Sequence, residues 1–182
     1  MSRSSWPQPE RRSRRQNGPV ILVFTEGTLL VHASGAGLPR ERAVDQVVAG
    51  QDASLEDFAS YVPIGSASEK VRAWRQSGAR IAYLTSRRVP EEVRAIRTVL
   101  RVGHFPRGRV LFRRRGETYA QVAERILPDV IVEDDCQSIG GEREMTYPHI
   151  SAPLRSRIRS VVVPEFAGID HLPDDPVQLV RG

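Results

Sequence analysis

The sequence predicts a doubly wound α/β domain: a mostly parallel five-stranded sheet with helices on both faces. Two observations carry this. Short, mostly apolar runs recur, the first of them unbroken, as strands covered on both faces require. Segments with apolar residues at helical spacing stand between them, and strands alternating with helices imply right-handed crossovers.

The first run is Val20-Ile21-Leu22-Val23-Phe24, the expected central strand. Similar runs cover residues 79–84, 109–112, 130–132 (entered through Pro128 and Asp129) and 158–163, where Pro164 ends the strand. The expected helices are 68–76, with Val71 and Trp74 on one face and Ser77-Gly78 as the stop; 90–102, with Val93, Ile96, Val99 and Leu100 in phase; and 117–127, with Val122 and Ile126. Residues 32–63 are too long for an ordinary connection. Within them, 40–49 and 55–61 each predict a short helix, together a small cap over the carboxyl edge of the sheet.

With 182 residues and 40% hydrophobic content, the chain fits one core. The domain is expected over residues 19–168. Residues 169–182, with Pro173 and Pro176, read as a loosely packed end, and 1–18 as a disordered arm. Arg3, Arg11, Arg12, Arg14 and Arg15 stand in that arm against Glu10 and supply most of the net charge of +5. Residues 3–15 therefore suit an electrostatic contact with nucleic acid or an acidic partner. Neither a membrane-spanning run nor a secretory h-region is present, so no membrane partner and a cytoplasmic location are expected. The single cysteine, Cys136, excludes an intrachain disulfide, and His32, His104, His149 and His171 are too scattered to be assigned a role.

In open parallel sheets, ligands bind beyond the carboxyl ends of the strands. Those ends hold Thr25-Glu26-Gly27-Thr28, Thr85-Ser86-Arg87-Arg88, Arg113-Arg114-Arg115 and Glu133-Asp134-Asp135. Phe24-Thr25-Glu26-Gly27-Thr28-Leu29 resembles the first motif of the haloacid dehalogenase-like (HAD-like) hydrolase superfamily, an apolar strand ending Asp-x-Asp-Gly-Thr-Leu. Ile81 to Thr85 resembles the second motif, and Val130 to Asp135 the fourth. Leu84-Thr85-Ser86-Arg87 and the Glu133-Asp134-Asp135 run are similar to the nucleotidase-like and polynucleotide-phosphatase-like branches.

That resemblance implies a Rossmann-like fold and a pocket for a phosphorylated small molecule or nucleotide. Thr28, Thr85, Ser86, Arg113, Arg114 and Arg115 would bind phosphate, and Glu26, Asp134 and Asp135 would hold Mg²⁺. Glu26 matches the family's general acid. The nucleophilic aspartate, however, is replaced by Phe24, whose ring can neither attack phosphorus nor bind a metal.

Three functions follow as expectations. The first is a catalytically degenerate protein that keeps a phosphate or nucleotide pocket. The second is a Mg²⁺-dependent phosphohydrolase in which Glu26, Asp134 and Asp135 activate water directly. The third is a nucleic-acid-binding module acting through the arginine-rich arm.

Overall fold

The computed structural model describes residues 18–50 and 57–181. The expected arm lies almost wholly outside them. β1 (Val20–Phe24) is followed by β2 (Leu30–His32), α1 (Arg40–Val48), β3 (Tyr61–Pro63), α2 (Ala67–Gln76) and β4 (Arg80–Leu84). The chain continues through α3 (Pro90–Val102), β5 (Arg109–Leu111), α4 (Tyr119–Ile126), β6 (Val130–Asp134), α5 (Ala152–Arg155), β7 (Arg159–Val163) and α6 (Pro176–Arg181).

Five strands form one parallel sheet in the order β5-β4-β1-β6-β7. This is the expected α/β architecture. Central β1 takes its place because Ile21, Leu22 and Val23 are fully buried. Its side chains alternate between two cores. Ile21 and Val23 pack with Val71 and Trp74 of α2 and with Ile96, Val99 and Leu100 of α3, while Leu22 packs with Ala120, Val122 and Ala123 of α4. The chain leaves β1 toward β4 and β5, then crosses to β6 and β7 on the other side. That reversal makes a crevice at the carboxyl ends of β1, β4 and β6.

The insertion after β1 differs from its expectation. Helix α1 forms as predicted, but residues 57–60 are not helical and Tyr61 begins β3, which pairs antiparallel with β2. Two three-residue strands carry too little pattern to announce themselves, and the Tyr-Val-Pro run satisfies strand preferences better than helical ones. The C-terminal segment also packs more closely than its composition suggests. Ile169 and Leu179 are buried in the core, Trp74 Nε1 donates to the Pro173 carbonyl at 2.8 Å, and Lys70 pairs with Asp174 at 2.5 Å.

Candidate functional site

A cavity of about 360 Å³ opens at the carboxyl edge of the sheet, beneath β2, β3 and α1. Phe24, Glu26 and Gly27 reach it from the end of β1, Ser86 and Arg87 from beyond β4, and Arg113 and Tyr119 from beyond β5. Asp134 and Cys136 come from the end of β6, and Glu165 and Phe166 from beyond β7. A wider cleft of about 990 Å³ lies at the opposite, amino edge, the side that parallel sheets seldom use for ligands.

Each side chain is set by its element. Gly27 has φ +80°, and a Cβ there would stand 2.8 Å from Asp134 Oδ1, so only glycine permits this approach of the two strand ends. Thr28 donates its hydroxyl to Asp134 Oδ1 at 2.7 Å, and Cys136 N donates to Oδ2 at 3.2 Å. Burial pushes the Asp134 carboxyl up to about 6; the nearby Glu165 charge adds to the rise, and the Thr28 hydrogen bond opposes it. Thr118 caps α4 through a reciprocal pair of bonds with Gln121, which fixes Tyr119 at the helix start. The Phe24 ring meets Tyr119 edge to face at 5.0 Å, and the Arg113 guanidinium stacks 3.8 Å over the same tyrosine.

Glu26 is held on all sides. Its Oε1 accepts from Thr85 Oγ1 at 2.6 Å, and its Oε2 accepts from Ser86 N at 3.1 Å and from Thr25 Oγ1 at 2.6 Å. Arg87 Nε stands 3.4 Å from Oε1. Thr85 and Ser86, expected to bind phosphate, thus hold a carboxylate of the chain itself.

Of the three arginines, Arg113 lines the cavity, whereas Arg114 and Arg115 are exposed and do not. Chain direction explains the difference, since residues past the strand end turn outward with the loop. The acidic run divides in the same way. Glu133 is 2% exposed and accepts amides from Thr146 and Tyr147 at 2.6 and 2.9 Å, so it anchors a loop. Asp135 accepts from Glu165 N at 3.0 Å and faces Arg40 at 3.7 Å. Only Asp134 reaches the cavity.

The residues expected to hold Mg²⁺ therefore do not fit it in this arrangement. Both Asp134 oxygens have donors, Glu26 is bound by Thr85 and Ser86, and Asp135 turns toward Arg40. Among the described residues, no group of three or more His, Cys, Asp or Glu is placed for a metal ion. Burial, with the Asp134, Glu133 and Glu165 charges beside it, pushes the Cys136 thiol up, away from the thiolate form. The loop after Cys136 spends its amides internally, with Ser138 N on Glu165 and the amides of residues 139–141 on the Cys136 carbonyl.

No protein-family model matches the chain, and no curated protein is similar to it in sequence. Solved structures similar in fold include the class C acid phosphatase from Bacillus anthracis with tungstate bound, and the same enzyme in a second structure. The first is 12% identical with a TM-score of 0.51, over 84% of this chain and 69% of that one. The second is 13% identical with a TM-score of 0.51, over 91% and 78%. This chain shares the α/β fold of that enzyme. At such identity the likeness concerns the backbone alone, and the doubly wound α/β architecture expected from the sequence is the one observed.

Sequence reasoning missed several lining residues of this crevice. Arg87 donates to the Tyr61 hydroxyl at 2.8 Å and pairs with Glu26, and Glu165 takes both the amide and the hydroxyl of Ser138 at 2.7 Å. Neither follows from a local pattern, although position beyond a strand end marks both. His32, assigned no role, lines the cavity from β2. Cys136 and Phe166 have φ +51° and +62°, a left-handed backbone that non-glycine residues seldom adopt and that clusters at binding sites.

Proposed function

We propose that this chain binds a small phosphorylated molecule in the crevice of a phosphatase-like fold and does not hydrolyse it. Phe24 carries the reading. At the end of the central strand, where the resembling family presents its nucleophile, the ring packs on Tyr119 and offers no atom for attack.

The neighbouring Thr25 supplies no substitute. Thr25 is fully buried and does not line the cavity, and its hydroxyl is engaged by Glu26. Binding is supported by Arg113 and Arg87 in the wall and by the tungstate of the first neighbour, a tetrahedral oxyanion held by a protein of this fold. The hydrolytic alternative, with Mg²⁺ on Glu26, Asp134 and Asp135, would require all three to leave their present partners. The arginine-rich arm belongs to a separate nucleic-acid reading and falls almost entirely outside the described residues.

The test is Mg²⁺-dependent phosphate release from a nucleotide and phosphate-ester panel by the wild type, Phe24→Asp and Asp134→Asn. No release by the wild type is expected, together with a raised melting temperature in the presence of at least one ester. Release by the wild type that Asp134→Asn abolishes overturns the proposal in favour of the hydrolase.

A further inference from the structure

Five buried side-chain polar atoms among the described residues have no hydrogen-bond partner: His32 Nε2, Arg87 Nε, Arg113 Nε, Thr146 Oγ1 and Ser160 Oγ. The first three line the one cavity, and all three are nitrogens able to donate. A buried donor left without a partner costs about 1–3 kcal/mol; Arg87 Nε has the Glu26 carboxylate at 3.4 Å, so His32 Nε2 and Arg113 Nε are the two that call for an occupant bringing acceptors.

His32 defines the requirement best. It is 9% exposed, and its ring packs edge to face on Tyr61 at 5.8 Å. Its Nδ1 accepts from Ser34 N at 3.2 Å and lies 2.8 Å from Ser34 Oγ, which assigns the proton of the neutral ring to Nε2. Arg113 is committed through its face to Tyr119, which leaves the in-plane Nε–H for a ligand. Arg87 Nε has an ion-pair contact with Glu26 but no hydrogen bond. Phe24, Val31, Tyr119 and Phe166 give the wall apolar and aromatic surface, beside the carboxylates Glu26, Asp134, Glu165 and Glu144, of which the first three are already held by donors of the chain. A volume of about 360 Å³ stands near the lower end of small-molecule sites and suits a ligand built on one ring.

We infer that the cavity takes a planar aromatic ligand bearing an anionic oxygen group, an aryl phosphate or an aromatic carboxylate, whose acceptors are read by His32 Nε2 and Arg113 Nε. The inference rests on the binding function proposed above and names its ligand class. Phe24 thereby has a positive role: it supplies ring surface where a carboxylate would repel the ligand.

Calorimetric titration with 4-nitrophenyl phosphate, 4-nitrobenzoate, glycerol phosphate and inorganic phosphate tests it. The aryl phosphate or the aryl carboxylate should bind about ten-fold tighter than glycerol phosphate, and His32→Phe, which keeps a ring against Tyr61 but removes the donor, should lose about ten-fold for that ligand. The two aryl arms decide between phosphate and carboxylate. If His32→Phe does not fold, a shift of the wild-type His32 Nε2 ¹⁵N resonance on adding the aryl ligand is the equivalent readout. Affinity of both aryl ligands no better than that of glycerol phosphate overturns the inference and leaves the binding function standing, as does an unmoved His32 resonance. Coloured nitrophenolate released by the wild type would instead overturn the non-hydrolytic reading, and absence of binding by every probe rejects both.

Discussion

Thr85 donates its hydroxyl to Glu26 Oε1 across 2.6 Å, and the Ser86 amide donates to the same carboxylate at 3.1 Å. A hydroxyl, an amide and the Arg87 guanidinium thus converge on an anion that belongs to the chain. An external phosphate would have to displace Glu26 to use these groups. Glu26→Ala should therefore tighten inorganic phosphate binding, by about ten-fold if one charge-assisted contact is recovered. It should also lower the unfolding free energy by about 1–3 kcal/mol, since Arg87 loses its ion partner while 15% exposed. Calorimetry and denaturant unfolding read the two effects. Unchanged phosphate affinity would show that the ligand anion sits elsewhere in the cavity.

Asp134 makes stability depend on pH in a specified direction. Its carboxyl rises from 3.8 to about 6 on folding, so the folded chain holds that proton more tightly than the unfolded chain. The contribution is fully present below about pH 4 and is lost as pH rises through 6. Asp134→Asn cannot titrate. Relative to the wild type it should gain between pH 4 and pH 7, by up to about 3 kcal/mol. Denaturant melts of both proteins across that range check it; parallel curves would mean that the carboxyl titrates at its ordinary value.

Much of the fold could be read from the sequence because buried parallel strands are continuous apolar runs, and β1, β4, β6 and β7 were placed to within two residues at either end. Strands β2 and β3 were not, since three residues carry no period and their pairing joins positions far apart in sequence. The acidic run shows how a site becomes only partly legible. Glu133, Asp134 and Asp135 are chemically alike, yet side chains alternate along a strand, so one carboxylate reaches the cavity and its neighbours serve the loops. Arg87, Glu165 and His32 matter through tertiary neighbours; position beyond a strand end marks the first two, and nothing local marks His32.

Glu133 illustrates the cost of a buried charge that is fully occupied. Burial pushes its carboxyl up, and the Thr146 and Tyr147 amides oppose that rise. Glu133→Ala would leave both amides without their acceptor beneath the loop that carries Ile150 into the core. A loss of about 2–4 kcal/mol is expected from two unmade buried bonds. Glu133→Gln, which keeps one acceptor oxygen, should lose less. Chemical unfolding of the pair decides; equal losses would assign the effect to charge instead of to the two hydrogen bonds.

Arg40, at the start of α1, joins the cap to the sheet. Its Nε donates to the Glu165 carbonyl at 2.9 Å and its Nη2 to Gln137 Oε1 at 2.6 Å, with Asp135 Oδ2 at 3.7 Å. The side chain is 26% exposed, so the ion pair contributes little to global stability, and Arg40→Gln should cost below about 1 kcal/mol. Its consequence is local. Releasing the cap loosens the segments that present Ser138, Glu165 and Phe166 to the cavity, and their amides should exchange with deuterium several-fold faster while β1 and β4 stay protected. Ligand affinity should fall with that protection, because the segments must then be ordered at the moment of binding. Unchanged exchange at residues 137–138 and 165–166 would show that α1 is held over the cavity by its apolar contacts alone, with Ala43 and Val44 as the anchors.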